Sequence, residues 1–93
     1  MDEIISHGIY AYFKSGFQLQ IAITDDEVLL NVIEGAHEKA SFNLDLNFKT
    51  NIWEIDKEHE DYADSAQRVD GQTMGLIEKF LAQASTQDFL KNL

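Results

Sequence analysis

The amino-acid sequence predicts an α+β domain: an antiparallel β-meander of three to four strands in the first half, with two to three C-terminal helices packed on one face. Two patterns carry this prediction. Apolar residues alternate with polar ones between Phe17 and Phe48, as in half-buried strands, and they recur at helical spacing after about Thr73. A chain of 93 residues holds one hydrophobic core, so we expect a single domain over residues 1–93.

The clearest strand is predicted over residues 17–24, where apolar residues occupy every second position. The turn-forming residues Asp25 and Asp26 then precede a β-branched run over residues 28–33, which we interpret as the antiparallel partner. After a polar loop, a second alternation from Ala40 to Phe48 predicts the third strand. These three segments form the meander.

The segment from Glu3 to Phe13 fits a strand and a helix equally well. The strand formers over residues 9–13, followed by Lys14, Ser15 and Gly16 as a short hairpin loop, favour a fourth strand. A leading helix that ends at Gly16 is the alternative.

The second half of the chain predicts helices. Apolar residues at positions 74, 77, 81 and 84 indicate an amphipathic helix that follows a break at Asp70 and Gly71. Residues 62–69 predict a further helix before that break. Ser85 and Asp88 have the spacing of a capping box, which predicts a short final helix bearing Phe89, Leu90 and Leu93.

The absence of cysteine excludes a disulfide framework, a thiolate zinc site and a cysteine nucleophile, and it is consistent with a reducing compartment. The N-terminus is acidic where a secretory signal is basic, and no apolar run approaches the ~18 residues that span a bilayer. We therefore expect a cytoplasmic protein.

Negative charge is the most informative property of the sequence. The formal net charge is −10, from 17 acidic residues against 7 basic ones. About half of it falls on residues 54–64, where Lys57 is the only basic residue. Phosphate backbones and anionic lipids are repelled by such a cluster, so we expect neither direct nucleic-acid binding nor membrane binding, and a basic protein surface as the partner.

Motifs for catalysis or for cofactors are not found. The glycines are scattered and form no phosphate-binding loop, and His7, His37 and His59 fall in different predicted elements. We expect no enzymatic activity and no cofactor. Asp56 and His59 would share a face if their segment were helical, which is the basis of a metal-site hypothesis. The alternative is a solvated acidic face, and on that interpretation we predict no metal site.

The predicted partner-binding residues are the acidic residues at the tip of the first hairpin, the acidic run and the adjacent tryptophan. They are Asp25, Asp26, Glu27, Trp53, Glu54, Asp56, Glu58, Glu60, Asp61 and Asp64. Trp53 is either an interface anchor or part of the core. The acidic cluster has its own alternative, which is that it serves only solubility.

In size, acidity and lack of motifs the chain resembles small intracellular inhibitors, namely phage-encoded anti-CRISPR and anti-restriction proteins and immunity proteins that neutralise nuclease toxins. This resemblance lies in composition alone. It implies an inhibitor that mimics nucleic acid and covers the basic, nucleic-acid-binding surface of a nuclease or another effector. The alternative is a chaperone or adaptor, which would bind client segments as a homodimer through sheet edges and apolar patches, with little salt dependence.

Overall fold

The structure is a computed structural model that describes residues 5–6, 10–13 and 16–92. Its described strands pair in chain order as one antiparallel meander. The strands are β1 (Ile5–Ser6), β2 (Tyr10–Tyr12), β3 (Phe17–Ile23), β4 (Val28–Glu34), β5 (His37–Asn47) and β6 (Ile52–Ile55), and the helices that follow are α1 (Tyr62–Gln67), α2 (Gly71–Ala82) and α3 (Ala84–Lys91). The predicted α+β architecture, a meander followed by helices, is confirmed.

The core lies between one face of the sheet and the helices. The register places Leu19 beside Val32 and Ile21 beside Leu30, and β5 continues the same two rows, so the buried side chains of three strands share one face. Helix α2 contributes four buried residues at positions 76, 77, 80 and 81, the spacing of one helical stripe. The alternation and the helical periodicity therefore meet in a single core.

The sheet has more strands than the sequence predicts. Strands β3, β4 and β5 are the three predicted ones, and β2 confirms a strand at the end of the 3–13 segment. The leading-helix alternative is wrong for the described residues, since Ile5 and Ser6 pair with Tyr12 and Ala11 in the sheet. With two and four residues, β1 and β6 are too short to show an alternation. Residues 14 and 15 of the predicted hairpin loop lie outside the described residues.

The sequence predicts the turn between β3 and β4 correctly, but not the turn between β4 and β5. The turn around Asp25 and Asp26 is confirmed, and it is closed by the Thr24 backbone N–H, which donates to the Glu27 carbonyl at 2.9 Å. The predicted polar loop before Ala40 is wrong, because β5 begins at His37, which pairs directly with Glu34. Gly35, with a φ of 63°, makes this tight connection possible, since glycine adopts a positive φ without a steric cost.

The helix boundaries confirm one sequence signal and correct another. Asp70 is the N-cap of α2, and its carboxylate accepts a hydrogen bond from the Thr73 N–H at 2.7 Å. The capping box predicted at Ser85 and Asp88 is wrong, because α3 starts at Ala84 and its N-cap is Gln83. This one extended residue is both the C-cap of α2 and the N-cap of α3, so α3 follows α2 directly.

Side chains from the helices cover the edge of the sheet beside β5 and β6. Strand β6 pairs only with residues 44–47 of β5, and α1 lies along the earlier part of that strand. There the Ser65 hydroxyl donates to the Ser41 carbonyl at 2.7 Å, and the Tyr62 ring lies 6.1 Å from the Phe42 ring. Within the part of the chain that is described, no helix is long and apolar enough to cross a membrane.

Candidate partner-binding surface

The meander brings two distant acidic segments to the same end of the sheet. Strand β5 pairs with β4 on one side, where Leu29 faces Asn43, and with β6 on the other, where Ile55 faces Leu44. The start of β4 and the end of β6 therefore flank the same part of β5. The Asp56 N–H extends the ladder by donating to the Asn43 carbonyl at 2.8 Å. As a result, the β3–β4 hairpin tip lies beside the acidic run.

Three adjoining clefts extend from this end of the sheet along α1. The first, which we call the Trp53 cleft, lies between β6 and the end of α2 and has a volume of about 530 Å³. The second lies between the β3–β4 hairpin tip and the β5–β6 pair, and it shares Asp45, Trp53 and Asp56 with the first. The third lies between the sheet and α1, and it shares Glu27, Asn43 and His59 with the second. Shared walls make the three clefts one continuous surface.

Most of the protein's carboxylates line this surface, which we call the acidic surface. Five line the Trp53 cleft, three more line the second cleft and another three line the third, which is eleven of the 17 in the chain. The basic residues on the same walls are Lys57 and Arg68, and the Arg68 guanidinium is already paired with the Asp64 carboxylate at 2.8 Å. The surface therefore carries a large uncompensated negative charge.

The loop that precedes α1 is ordered by hydrogen bonds to its own side chains. The Asp56 carboxylate accepts a hydrogen bond from the Glu58 N–H at 3.0 Å, and His59 Nδ1 accepts one from the Asp61 N–H at 3.2 Å. Because this segment is a series of turns and not a helix, Asp56 and His59 do not share a helical face as the metal hypothesis requires. Among the described residues, no three histidine, aspartate or glutamate side chains are placed to hold a metal ion.

Nine of the ten predicted partner-binding residues line the three clefts. The exception is Glu60, which is exposed beside them. Three carboxylates of this surface, Glu38, Asp45 and Glu78, and the apolar Ile52 were not predicted from the sequence. Asp45 is found once the register is known, because it sits opposite Glu54 in the β5–β6 pair. Glu78 lies on α2, and no local signal relates it to the acidic run.

Trp53 combines the two roles that the sequence left open. Its side chain is half-buried, packs against the core and lines two of the clefts. Its backbone is fixed by the Gln87 side chain, whose carbonyl oxygen accepts from the Trp53 N–H and whose amide nitrogen donates to the Trp53 carbonyl, both at 2.9 Å. The indole is thus held at the boundary between core and solvent.

The outer face of the sheet has the opposite character. In the middle of β3 and β4 this face carries only uncharged side chains, all of them half-buried, and Asn31 accepts a hydrogen bond from the Ser41 hydroxyl at 2.8 Å. These residues are Gln18, Gln20, Ala22, Asn31 and Ile33, whereas Leu29 on the same face lines the third cleft. Charge is therefore concentrated on the acidic surface and does not cover the described part of the molecule evenly.

Comparisons with models of known protein families, with curated proteins and with solved structures find no match to this chain.

Proposed function

We propose that this protein is a non-enzymatic inhibitor that binds a basic, nucleic-acid-binding surface of a target protein through its acidic surface. The observation that supports the proposal is the convergence of two acidic segments. The hairpin tip at residues 25–27 and the acidic run at residues 54–64 are separate in sequence, yet they line adjoining clefts. A charge that served only solubility would gain nothing from this concentration, which raises like-charge repulsion within the folded protein.

Electrostatics favours a protein partner with a broad basic face. At physiological ionic strength the Debye length is about 8 Å, so carboxylates spread over neighbouring clefts act on a ligand only when it lies close along the surface. A basic groove that normally holds a phosphate backbone presents charge over such a length. The carboxylates would steer the encounter and set its orientation, and the affinity would fall as salt is added.

A matched pair of charge reversals tests the proposal. In the site variant, Asp26→Lys is combined with Glu58→Lys, since neither carboxylate makes a hydrogen bond or ion pair among the described residues. In the control variant, Glu34→Lys is combined with Asp88→Lys, which changes the net charge equally but lies outside the three clefts. Tagged wild-type, site and control proteins are used to capture partners from the native cell, with and without phage infection, at low and high salt.

We expect the wild-type and control proteins to retain the same basic protein at low salt, and the site variant to lose it. Equal retention by all three proteins would contradict the electrostatic proposal. The captured protein is then purified, and its binding to labelled nucleic acid is followed by fluorescence anisotropy as the inhibitor is added. Displacement of the nucleic acid is expected; a complex that keeps its nucleic acid would contradict the inhibitory role.

A client-binding adaptor that dimerises is the second candidate function, and the uncharged outer face of the sheet supports it. Two copies with a net charge of −10 repel each other wherever their carboxylates meet, whereas the amides of Gln18 and Gln20 both donate and accept hydrogen bonds. Sedimentation analysis distinguishes the candidates. A dimer that persists when the site variant is made would favour the adaptor, and a monomer with salt-sensitive partner binding would favour the inhibitor.

A further inference from the structure

The Trp53 cleft has an apolar floor inside its acidic rim. The floor is built by β6 and by the last turn of α2, and the residues that line it are Ile52, Trp53, Ile55, Leu81 and Ala82. Ile55 and Leu81 are buried, while Ile52 is 44% exposed and Trp53 is half-buried. This apolar strip is therefore in partial contact with water.

The rim of the same cleft favours cations. Five carboxylates surround the floor, from Asp45, Glu54, Asp56, Glu58 and Glu78. Lys57 is the one basic residue on its walls. The C-terminal turn of α2 adds to this field, since the carbonyl end of a helix carries a partial negative charge. A ligand that fits both features must combine an apolar side chain with neighbouring positive charges.

Further apolar surface is exposed at the same end of the β5–β6 hairpin. Asn47 pairs with Ile52, and the next residue, Phe48, is 88% exposed at the turn. Exposed apolar side chains that lie near one another are typical of protein–protein interaction sites. The turn itself is well formed, because the Asn47 side chain accepts a hydrogen bond from the Lys49 N–H at 3.0 Å.

We propose that the Trp53 cleft receives a large aliphatic or aromatic side chain from a lysine- or arginine-rich segment of the partner protein. This inference rests on the proposed function, because it assigns the anchoring contact within the acidic surface. The surrounding carboxylates pair with the basic residues on either side of the anchor, and Ile52 and Trp53 cover the anchor itself. Selectivity for one basic protein over others then comes from the apolar contact, since charge alone attracts any cation.

The single tryptophan of the chain reports directly on this cleft. The probes are two short lysine-rich peptides without tryptophan, which differ only at a central position occupied by leucine or by serine. We expect the leucine peptide to bind at least about tenfold more tightly, from the burial of one large aliphatic side chain. We also expect it alone to shift the Trp53 emission to shorter wavelength.

Two isoleucine variants provide the matched control. Ile52→Ser removes apolar surface from the cleft, whereas Ile23→Ser makes the same change at a residue that is 48% exposed and does not line the cleft. Both side chains are largely exposed, so neither change should prevent folding. Ile52→Ser should reduce the affinity for the leucine peptide to that for the serine peptide, and Ile23→Ser should leave it unchanged.

The outcomes separate this inference from the proposed function. Equal, salt-sensitive binding of both peptides with no change in Trp53 emission would leave the acidic surface as a cation-binding site and overturn the apolar anchor. A failure of both peptides to bind at millimolar concentration, measured at low salt, would overturn the apolar anchor, whereas the proposed function is overturned by equal retention in the capture experiment with whole proteins. An Ile23→Ser variant that weakens leucine-peptide binding as much as Ile52→Ser would place the apolar contact elsewhere and overturn the anchor.

Discussion

The side-chain amide of Gln87 takes the place of a neighbouring strand for Trp53. It accepts from the Trp53 N–H and donates to the Trp53 carbonyl, both at 2.9 Å, and it also donates to the Leu81 carbonyl at 2.7 Å. These are hydrogen bonds that another strand would otherwise make with β6. One buried side chain of α3 therefore closes a sheet edge, fixes the tryptophan and holds the end of α2 against β6.

We predict that Gln87→Leu lowers the free energy of unfolding by about 2 to 4 kcal/mol, because it leaves the Trp53 N–H and two carbonyl groups without their buried partner. Denaturant unfolding followed by circular dichroism measures the loss. Gln87→Glu should be no milder at neutral pH, since a carboxylate cannot donate to the Trp53 and Leu81 carbonyls. A Gln87→Leu variant with wild-type stability would show that these hydrogen bonds contribute little.

Thr86 presents the opposite case, a buried hydroxyl that makes no hydrogen bond to any described residue. The residue is 0% exposed, and its Oγ1 contacts no donor or acceptor within the described chain. Thr86→Val keeps the shape of the side chain and removes the polar atom, so we expect stability to rise by about 1 kcal/mol. Thr86→Ser keeps the hydroxyl and removes a methyl group, and it should lower stability. Thermal unfolding of the Thr86→Val and Thr86→Ser variants measures both changes in stability. A lower stability of Thr86→Val would show that the hydroxyl has a hydrogen-bond partner.

The pattern of correct and incorrect sequence predictions has a physical origin. The alternation from Phe17 onward and the stripe from Met74 to Leu81 are local consequences of burial on one face, and so they predict β3 and α2 correctly. The roles of Gln87 and Ser65 depend on contacts across 34 and 24 positions of the chain, and no local pattern encodes them. The final helix shows the same limit: a sequence signal favoured Ser85 as its N-cap, but the packing of α3 directly after α2 placed the cap at Gln83.

The sequence predicts most of the residues of the candidate site, but it does not predict that they lie close together. The two acidic segments and Trp53 are visible in the sequence, but their proximity requires the register that places Asn43 between Leu29 and the start of the acidic loop. Glu78 joins the site from α2, whose last turn lines the same cleft as β6. Charge composition therefore predicts what kind of surface exists, and the topology determines where it lies.

Asp70 should make the stability of α2 depend on pH. The hydrogen bond from the Thr73 N–H to its carboxylate lowers the pKa of Asp70 below the usual aspartate value. A group whose pKa is lowered on folding contributes stability that is present above its unfolded pKa and is lost as pH falls through its folded pKa. We expect wild-type protein to exceed Asp70→Asn in stability at neutral pH, and the difference to shrink in the acidic range. A difference that is constant with pH, measured by thermal unfolding, would exclude a role for the charge.

The acidic surface should itself cost stability, and this cost distinguishes function from solubility. In the site variant, Asp26→Lys with Glu58→Lys, two carboxylates that repel their neighbours are replaced by lysines that attract them. We therefore expect its free energy of unfolding at low salt to rise by an amount on the order of 0.5 kcal/mol. The control variant also breaks the exposed ion pair between Glu34 and Lys39, which are 3.0 Å apart, so the matched comparison for stability is between the single changes Glu58→Lys and Asp88→Lys, of which Asp88→Lys lies outside the three clefts and should gain less. Added salt should remove the difference by screening. If Glu58→Lys and Asp88→Lys gain equal stability at low salt, only the total charge matters. A gain confined to Glu58→Lys would show that the acidic surface destabilises the folded protein locally. A function in binding explains why the protein retains such a cluster, and solubility alone does not.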